Sequence, residues 1–298
     1  MAIFPRRKVK SGTATVPKMP RVGRLPLRRP RLPDDGGPAR ATLRSRSIYL
    51  LPNAFTTAAL FCGFYAIVMA MNQKFEHASL AIFIAMVLDS LDGRIARLTN
   101  TQSEFGAQYD SLSDMVSFGV APALVVYEWA LVGMDKLGWL AAFVYCAGAA
   151  LRLARFNTNI AVVDKRYFQG LPSPAAAALV AGFIYLMSDL MGDYGLVAKD
   201  LRWFAWGFTL FAGLTMVTNV PFYSFKDVNF RKSVPFIAVF LIVLVFVAVA
   251  SDAPKVLFGL FVLYGLSGYA VYFWRLFKGK PVSIVQIEED DVDVHEQH

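Results

Sequence analysis

Apolar residues in this chain arrive in long blocks, not in short alternating runs. From residue 50 onward, stretches near 52–71, 77–98, 105–131, 138–156, 173–190, 202–221, 234–250 and 256–275 reach or approach the length needed to cross a bilayer as a helix, about 20 residues. Backbone groups in hydrocarbon must be bonded internally, which a helix achieves within its own segment. No strand-type alternation of the barrel kind runs through these blocks. The pattern predicts an all-α integral membrane protein, a helical bundle of about eight transmembrane helices. The second to fourth blocks contain polar residues that blur their ends. No internal repeat of the solenoid kind is visible.

Composition supports this reading and narrows the chemistry. Of 298 residues, 56% are hydrophobic and only 17% charged, against about 25% charged in an ordinary soluble domain. The 25 Phe, 12 Tyr and 5 Trp exclude a solvated coil for most of the chain. Cys62 and Cys146 sit in apolar runs without metal-ligand spacing, so neither a disulfide scaffold nor a zinc site is indicated. His77, His295 and His298 offer no histidine-based metal site or triad. Any chemistry falls to carboxylates.

Charge is unevenly placed. Residues 1–49 hold 13 of the 30 Lys and Arg residues against only Asp34 and Asp35, so the remainder of the chain is slightly acidic. The first segment, 1–45, is basic, rich in proline and without apolar period, and reads as a disordered arm. It does not read as a signal peptide, because the first long apolar run starts near residue 50. A polybasic arm beside a membrane fits anionic lipid, and no nucleic-acid partner is expected. Residues 46–278 form the transmembrane domain, and 279–298, with Glu288, Glu289, Asp290, Asp291 and Asp293, a flexible acidic tail. With both termini on the cytoplasmic side, the inner loops collect 12 basic residues even without the arm, and the outer loops collect five. That asymmetry sets the orientation.

Within this apolar chain, four acids stand at the ends of two successive spans. Asp89 and Asp92 are three residues apart near the inner end of the second, and Asp110 and Asp114 four apart near the inner start of the third. Each pair therefore shares a helical face, and the short connection makes the two helices antiparallel neighbours. Four carboxylates at one depth would repel strongly. Two divalent cations would remove that repulsion, and hard ions such as Mg²⁺ or Mn²⁺ take oxygen ligands. Two such ions about 3.5–4 Å apart form the usual clamp for phosphoryl displacement. Gly93, Ala96 and Gly106 are small residues beside the acids, and Arg97 follows Asp89 by two turns, where it can hold a phosphate. Taken alone, the glycines would serve helix packing, and intramembrane acids could serve a cation or proton transporter.

The full spacing, Asp89-x2-Asp92-Gly93-x2-Ala96-Arg97-x8-Gly106-x3-Asp110-x3-Asp114, resembles the signature of the CDP-alcohol phosphatidyltransferases at all eight positions and both long gaps. The resemblance implies a six-helix core, here with two further helices. It implies that Asp89, Asp92, Asp110 and Asp114 ligate two divalent cations, Mg²⁺ or Mn²⁺, that Gly93, Ala96, Arg97 and Gly106 line the CDP site, and that Asp114 is the general base. Leu51-Pro-Asn-Ala-Phe-Thr56, Arg152-Leu-Ala-Arg-Phe-Asn157 and Phe168-Gln-Gly-Leu-Pro-Ser-Pro174 resemble the serine-using bacterial and archaeal branch of that family. The implied reaction is transfer of the phosphatidyl group from CDP-diacylglycerol to L-serine by a homodimer in the bacterial inner membrane. Glycerol 3-phosphate, inositol phosphate and choline remain as other acceptors. Arg152, Arg155 and Asn157 stand where they could bind serine or phosphate, since Arg forks match carboxylates in a way Lys cannot. The two arginines could equally anchor a helix end at anionic headgroups.

Overall fold

The computed structural model describes residues 40–99, 101–158, 167–194, 197–224 and 236–278. The acidic tail at 279–298 and most of the basic arm lie outside the described residues. Helix α1 runs Arg40–Met71, so residues 40–45 of the expected arm are helical, continuous with the first apolar block. Helix α2 (Phe75–Leu98) comes after a three-residue turn in which Gln73 has φ +59°. A long helical run begins with α3 (Glu104–Asp114), widens into π-helix over Met115–Val120, returns to α-helix as α4 (Ala121–Val126) and widens again over Tyr127–Leu131. After a short 3₁₀ turn at Val132–Met134 the chain reverses into α5 (Asp135–Thr158). Helices α6 (Ser173–Tyr194), α7 (Arg202–Val217), α8 (Phe236–Ser251) and α9 (Ala253–Phe277) complete the described bundle.

Helical segments thus occupy the position of every predicted span. Among the described residues, four stretches are long and apolar enough to cross a membrane: Pro52–Met71, Glu104–Thr158, Ser173–Met191 and Ala253–Phe277. The second of these contains two predicted spans, because helical geometry is nearly continuous through the reversal at Val132–Asp135. The predicted span 202–221 ends early, at Val217, where Thr218 turns to extended geometry (φ −65°, ψ 165°). The chain then enters a small sheet that the hydropathy pattern did not announce. Strand β1 (Tyr167–Gln169) pairs antiparallel with β2 (Pro221–Tyr223), with Phe168 opposite Phe222. Each strand is only three residues long, too short for a period-2 signal to stand out. Gly170, at φ +73°, succeeds β1, and a Cβ there would press on the Met216 and Thr218 carbonyls.

Helix α6 is the buried centre: Ala175 to Ala178 and Leu179 to Ile184 are almost all enclosed. It packs against α2, α7 and α9, and its alanines let neighbouring backbones approach. By contrast, Val239–Val247 of α8 are exposed throughout, as befits a helix facing lipid. Interhelical bonds lock the acid-bearing end. Ser113 and Ser117 donate to the Thr56 and Ala59 carbonyls (both 3.1 Å), joining α3 and its π-turn to α1. Tyr145, fully buried on α5, donates to the Phe118 carbonyl at 3.1 Å and satisfies its hydroxyl.

Helices α5 and α7 touch backbone to backbone at Gly148 and Gly213. A Cβ on Gly148 would fall on the Gly213 carbonyl, and one on Gly213 would lie 2.7 Å from the Tyr145 Cα. Gly148→Ala should therefore lower stability by about 1–3 kcal/mol, the usual cost of overpacking, whereas Gly207→Ala, with open space around it, should be neutral or better. Thermal unfolding of the two variants in one detergent checks the contrast.

Candidate active site

The site forms where α2 ends and α3 begins. Helix α2 stops at Leu98, the Thr99 N–H bonding back to the Ile95 carbonyl, and Thr101 N–H then bonds to the Ala96 carbonyl at 3.0 Å. Ser103 caps α3, its hydroxyl accepting from the Gly106 N–H at 3.0 Å, with Glu104 in the first turn where the helix dipole favours an acid. This compact connection turns the chain back, but α2 packs mainly on α6 and not along α3. The helices therefore diverge, and the space between them is open.

Into that space project the four acids. Asp89, Asp92 and Asp110 each present a carboxylate oxygen within 4.8 Å of the others. Asp114, one turn beyond Asp110, is hydrogen-bonded to Asp89. Two carboxyls in such contact require a proton or a cation between them. Asp92 is only 4% exposed and accepts from the Thr56 hydroxyl at 2.7 Å. One oxygen of Asp110, Oδ1, is buried without a hydrogen-bond partner. An orphaned buried carboxylate oxygen beside two more acids is the donor set of a hard cation, all oxygen and negatively charged. The residues present fit a divalent ion.

Beside the acids lies a cavity of about 310 Å³ bounded by α1, α2 and α3. All four predicted nucleotide-site residues, Gly93, Ala96, Arg97 and Gly106, line it, together with Asp92 and Asp110. Gly93 has nothing within 4 Å of where a Cβ would stand, so no neighbouring helix requires a glycine there. Its bare backbone faces the cavity, which separates it from the packing glycines of α5 and α7. A Cβ on Gly106 would meet the Ser103 hydroxyl at 3.1 Å and the Asn53 side-chain oxygen at 3.5 Å. The exposed Arg97 donates from Nε to the Gly93 carbonyl at 2.9 Å, holding its guanidinium at the rim.

The three residues singled out at the end of α5 separate in the structure. Arg152 comes within electrostatic reach of Asp114 and donates to the Ser173 hydroxyl at 2.6 Å. Asn157 donates to the Ser111 hydroxyl at 3.0 Å, next to Asp110 along α3. Arg155 turns to the Asn219 side-chain oxygen at 3.2 Å and does not join the acids. Sequence reasoning missed the contribution of α1: Pro52, Asn53 and Thr56 form one wall of the cavity. The available signal was an Asn and two Thr at the start of an otherwise apolar span. Gln102 and Ser103, in the connection, also line the cavity.

Comparison with known proteins identifies the family. The profile of the CDP-alcohol phosphatidyltransferase family matches residues 49–211. A Helicobacter pylori protein named CDP-diacylglycerol–serine O-phosphatidyltransferase is 36% identical over 219 residues, covering 74% of this chain and 90% of its own. One of the same name from Mycobacterium leprae is 31% identical over 228 residues, covering 74% and 73%. Another, from Methanocaldococcus jannaschii, is 44% identical over 110 residues, covering 37% and 51%. With its acid quartet gathered beside a cavity lined by the family's small residues, the chain belongs to the CDP-alcohol phosphatidyltransferase family.

Proposed function

We propose that the protein transfers the phosphatidyl group of CDP-diacylglycerol to the hydroxyl of L-serine, giving phosphatidylserine and CMP. The observation that carries this reading is the meeting of Asp89, Asp92, Asp110 and Asp114 beside the cavity lined by Gly93, Ala96, Arg97 and Gly106. The names of the relatives from Helicobacter pylori and Mycobacterium leprae support serine as the acceptor.

In this reading the cytidine diphosphate group occupies the cavity, with the bare backbone at Gly93 allowing close approach and Arg97 meeting phosphate at the rim. The acyl chains stay in the inner leaflet. The four aspartates would hold two divalent cations, Mg²⁺ or Mn²⁺, whose charge would neutralise the pyrophosphate and the charge leaving with CMP. Asp114 takes the proton of the serine hydroxyl as that oxygen bonds to the phosphorus carrying diacylglycerol. The bond from this phosphorus to the CMP oxygen breaks in the same displacement. No covalent enzyme intermediate is needed: Ser113 and Ser117 donate to carbonyls of α1, and Ser111 receives Asn157. The Arg152 fork meets the serine carboxylate, with Asn157 beside it.

The same reading places eight spans in a bacterial inner membrane, both termini and the acids on the cytoplasmic side, the chain acting as a homodimer. It is tested by product identification. Purified protein is given CDP-diacylglycerol, Mn²⁺ or Mg²⁺, and in turn L-serine, glycerol 3-phosphate, inositol phosphate and choline. Phosphatidylserine with stoichiometric CMP is expected from serine alone. A product from another alcohol would reassign the acceptor, and ion flux into vesicles without any CDP-alcohol turnover would indicate a transporter.

One residue outside the predicted set has a measurable part. Thr56 holds a carboxylate oxygen of Asp92 and so orients a ligand from behind. Thr56→Val, equal in size, should raise the divalent-ion concentration needed for half-maximal activity by about 10–100-fold, as loss of such a supporting bond commonly does. Thr56→Ser should restore most of it. An activation curve unchanged in Thr56→Val would remove the assignment.

A further inference from the structure

Helices α2 and α3 both bring acids to the cluster, yet α2 packs mainly on α6. The rotation of α3 beside it is fixed from α1. Tyr109, Ser113 and Ser117 follow one another at four-residue spacing, and each bonds to α1. The Tyr109 hydroxyl lies 3.0 Å from that of Thr57, which gives its own proton to the Asn53 carbonyl at 2.7 Å, so the tyrosine is the donor between them. Ser113 and Ser117, both buried, donate to the Thr56 and Ala59 carbonyls at 3.1 Å each. At Gly63 the two backbones touch, since a Cβ there would lie 2.7 Å from the Ser117 Cα. The stripe Gly106, Asp110, Asp114 runs alongside. Asp110 and Asp114 each follow a bonded residue by one position, about 100° round the helix. Hydrogen bonds on the first stripe therefore fix where the second one points.

Thr56 joins this stripe to the other pair of acids. Its carbonyl receives Ser113, the residue before Asp114. Its hydroxyl, shared with the Pro52 carbonyl at 3.2 Å, donates to Asp92 Oδ2 at 2.7 Å. One residue of α1 thus grips α3 by its main chain and α2 by its side chain. Asp92 of α2 and Asp110 of α3 bring carboxylate oxygens within 4.8 Å of each other across that grip. Mg²⁺ demands oxygens at about 2.0–2.1 Å in near-octahedral order, so a small change in the spacing of α2 and α3 alters how well the acids can share an ion. Ser117 makes the same bond to the same helix, but one turn past Asp114, and its partner Ala59 has no polar side chain to reach an acid.

We propose that Ser113 is a positioning residue for the ion centre: through the Thr56 carbonyl it holds the acid-bearing edge of α3 at a set distance from Asp92, so that divalent-ion affinity depends on a serine that is not itself a ligand. This rests on the metal reading above, and the test separates the two. The full chain in detergent is titrated with Mn²⁺ in the absence of CDP-diacylglycerol, the free ion being followed by its electron paramagnetic resonance signal. If the wild-type protein binds no Mn²⁺, the metal reading fails and the proposal falls with it. Given wild-type binding, Ser113→Ala should raise the Mn²⁺ dissociation constant about tenfold, the lower end of what loss of a supporting partner costs a metal site. Ser117→Ala removes an equivalent bond between the same helices. It should lower the melting temperature of the ion-free protein about as much as Ser113→Ala does, yet bind Mn²⁺ within about twofold of wild type. Ser113→Cys, close in size and only a weak donor, should fall between wild type and Ser113→Ala, and it carries the test should the alanine variant not fold. The proposal is overturned if the Ser113 variants bind Mn²⁺ as tightly as wild type. It is equally overturned if Ser117→Ala loses as much affinity as Ser113→Ala, since general fastening of α3 would then account for the effect.

Discussion

Asp114→Asn is expected to give a folded, membrane-inserted protein in which CMP release falls by about 10²- to 10⁴-fold, the usual weight of a positioned general base. The substitution preserves shape and removes the ability to accept a proton. Stability without ions should not suffer. Asp114 contacts the Asp89 carboxyl, and an amide in its place can donate to Asp89 without a proton or ion between them. Loss of turnover with ions supplied, together with an unchanged or higher melting temperature in ion-free buffer, is therefore the signature, and it differs from what a packing defect would produce. CMP release and thermal unfolding in the same detergent measure the two halves. Turnover near the wild-type rate would remove Asp114 from the role of base.

Removing divalent ions should have the second largest effect. A chelator is expected to abolish phosphatidyl transfer and lower the melting temperature, and Mg²⁺ or Mn²⁺ should restore both. An ion present at 100 times its dissociation constant stabilises the state that binds it by about 2.7 kcal/mol. The sign comes from the cluster itself: Asp89, Asp92 and Asp110 bring carboxylate oxygens within 4.8 Å of one another. Like charges 4 Å apart repel by about 4 kcal/mol at an effective dielectric of 20. Asp110→Asn removes one of these charges at the position whose Oδ1 is buried and unpartnered. Its ion-free form should melt at or above the ion-free wild type, yet gain little when ions are added. A wild-type melting curve indifferent to both chelator and ion would count against a metal centre.

The candidate site was unevenly legible from residues alone. Asp89, Asp92, Asp110 and Asp114 stood out because an acid is costly near hydrocarbon, and helical periodicity placed each pair on one face. Gly93 and Gly106 were ambiguous, since small residues serve helix contacts and ligand contacts alike. Only the open space around Gly93, against the crowded backbones at Gly148 and Gly213, distinguishes the two uses. Thr56 was hidden because a helix tolerates a Thr bonded to its own i−4 carbonyl, as Thr56 is to Pro52 at 3.2 Å. Its further bond to Asp92 crosses 36 positions of chain. Arg155 illustrates the converse. Its spacing from Arg152 suggested a shared ligand, but a loop contact with Asn219 draws it elsewhere.

Hydropathy and charge by themselves determined that this is a helical membrane protein, where its helices begin to within a few residues for most spans, and which four acids are the candidates for its chemistry. These properties are local: burying a helix in lipid depends on its own residues, and a three- or four-residue spacing decides a face without reference to the rest of the chain. The tertiary structure alone decided that α2 leans on α6 and leaves a cavity against α3, that α1 closes it, and that a three-residue strand pair packs against α9. Those depend on backbone approach at single glycines and on bonds between residues dozens of positions apart, whose strength is set by the final packing and leaves no period in the sequence.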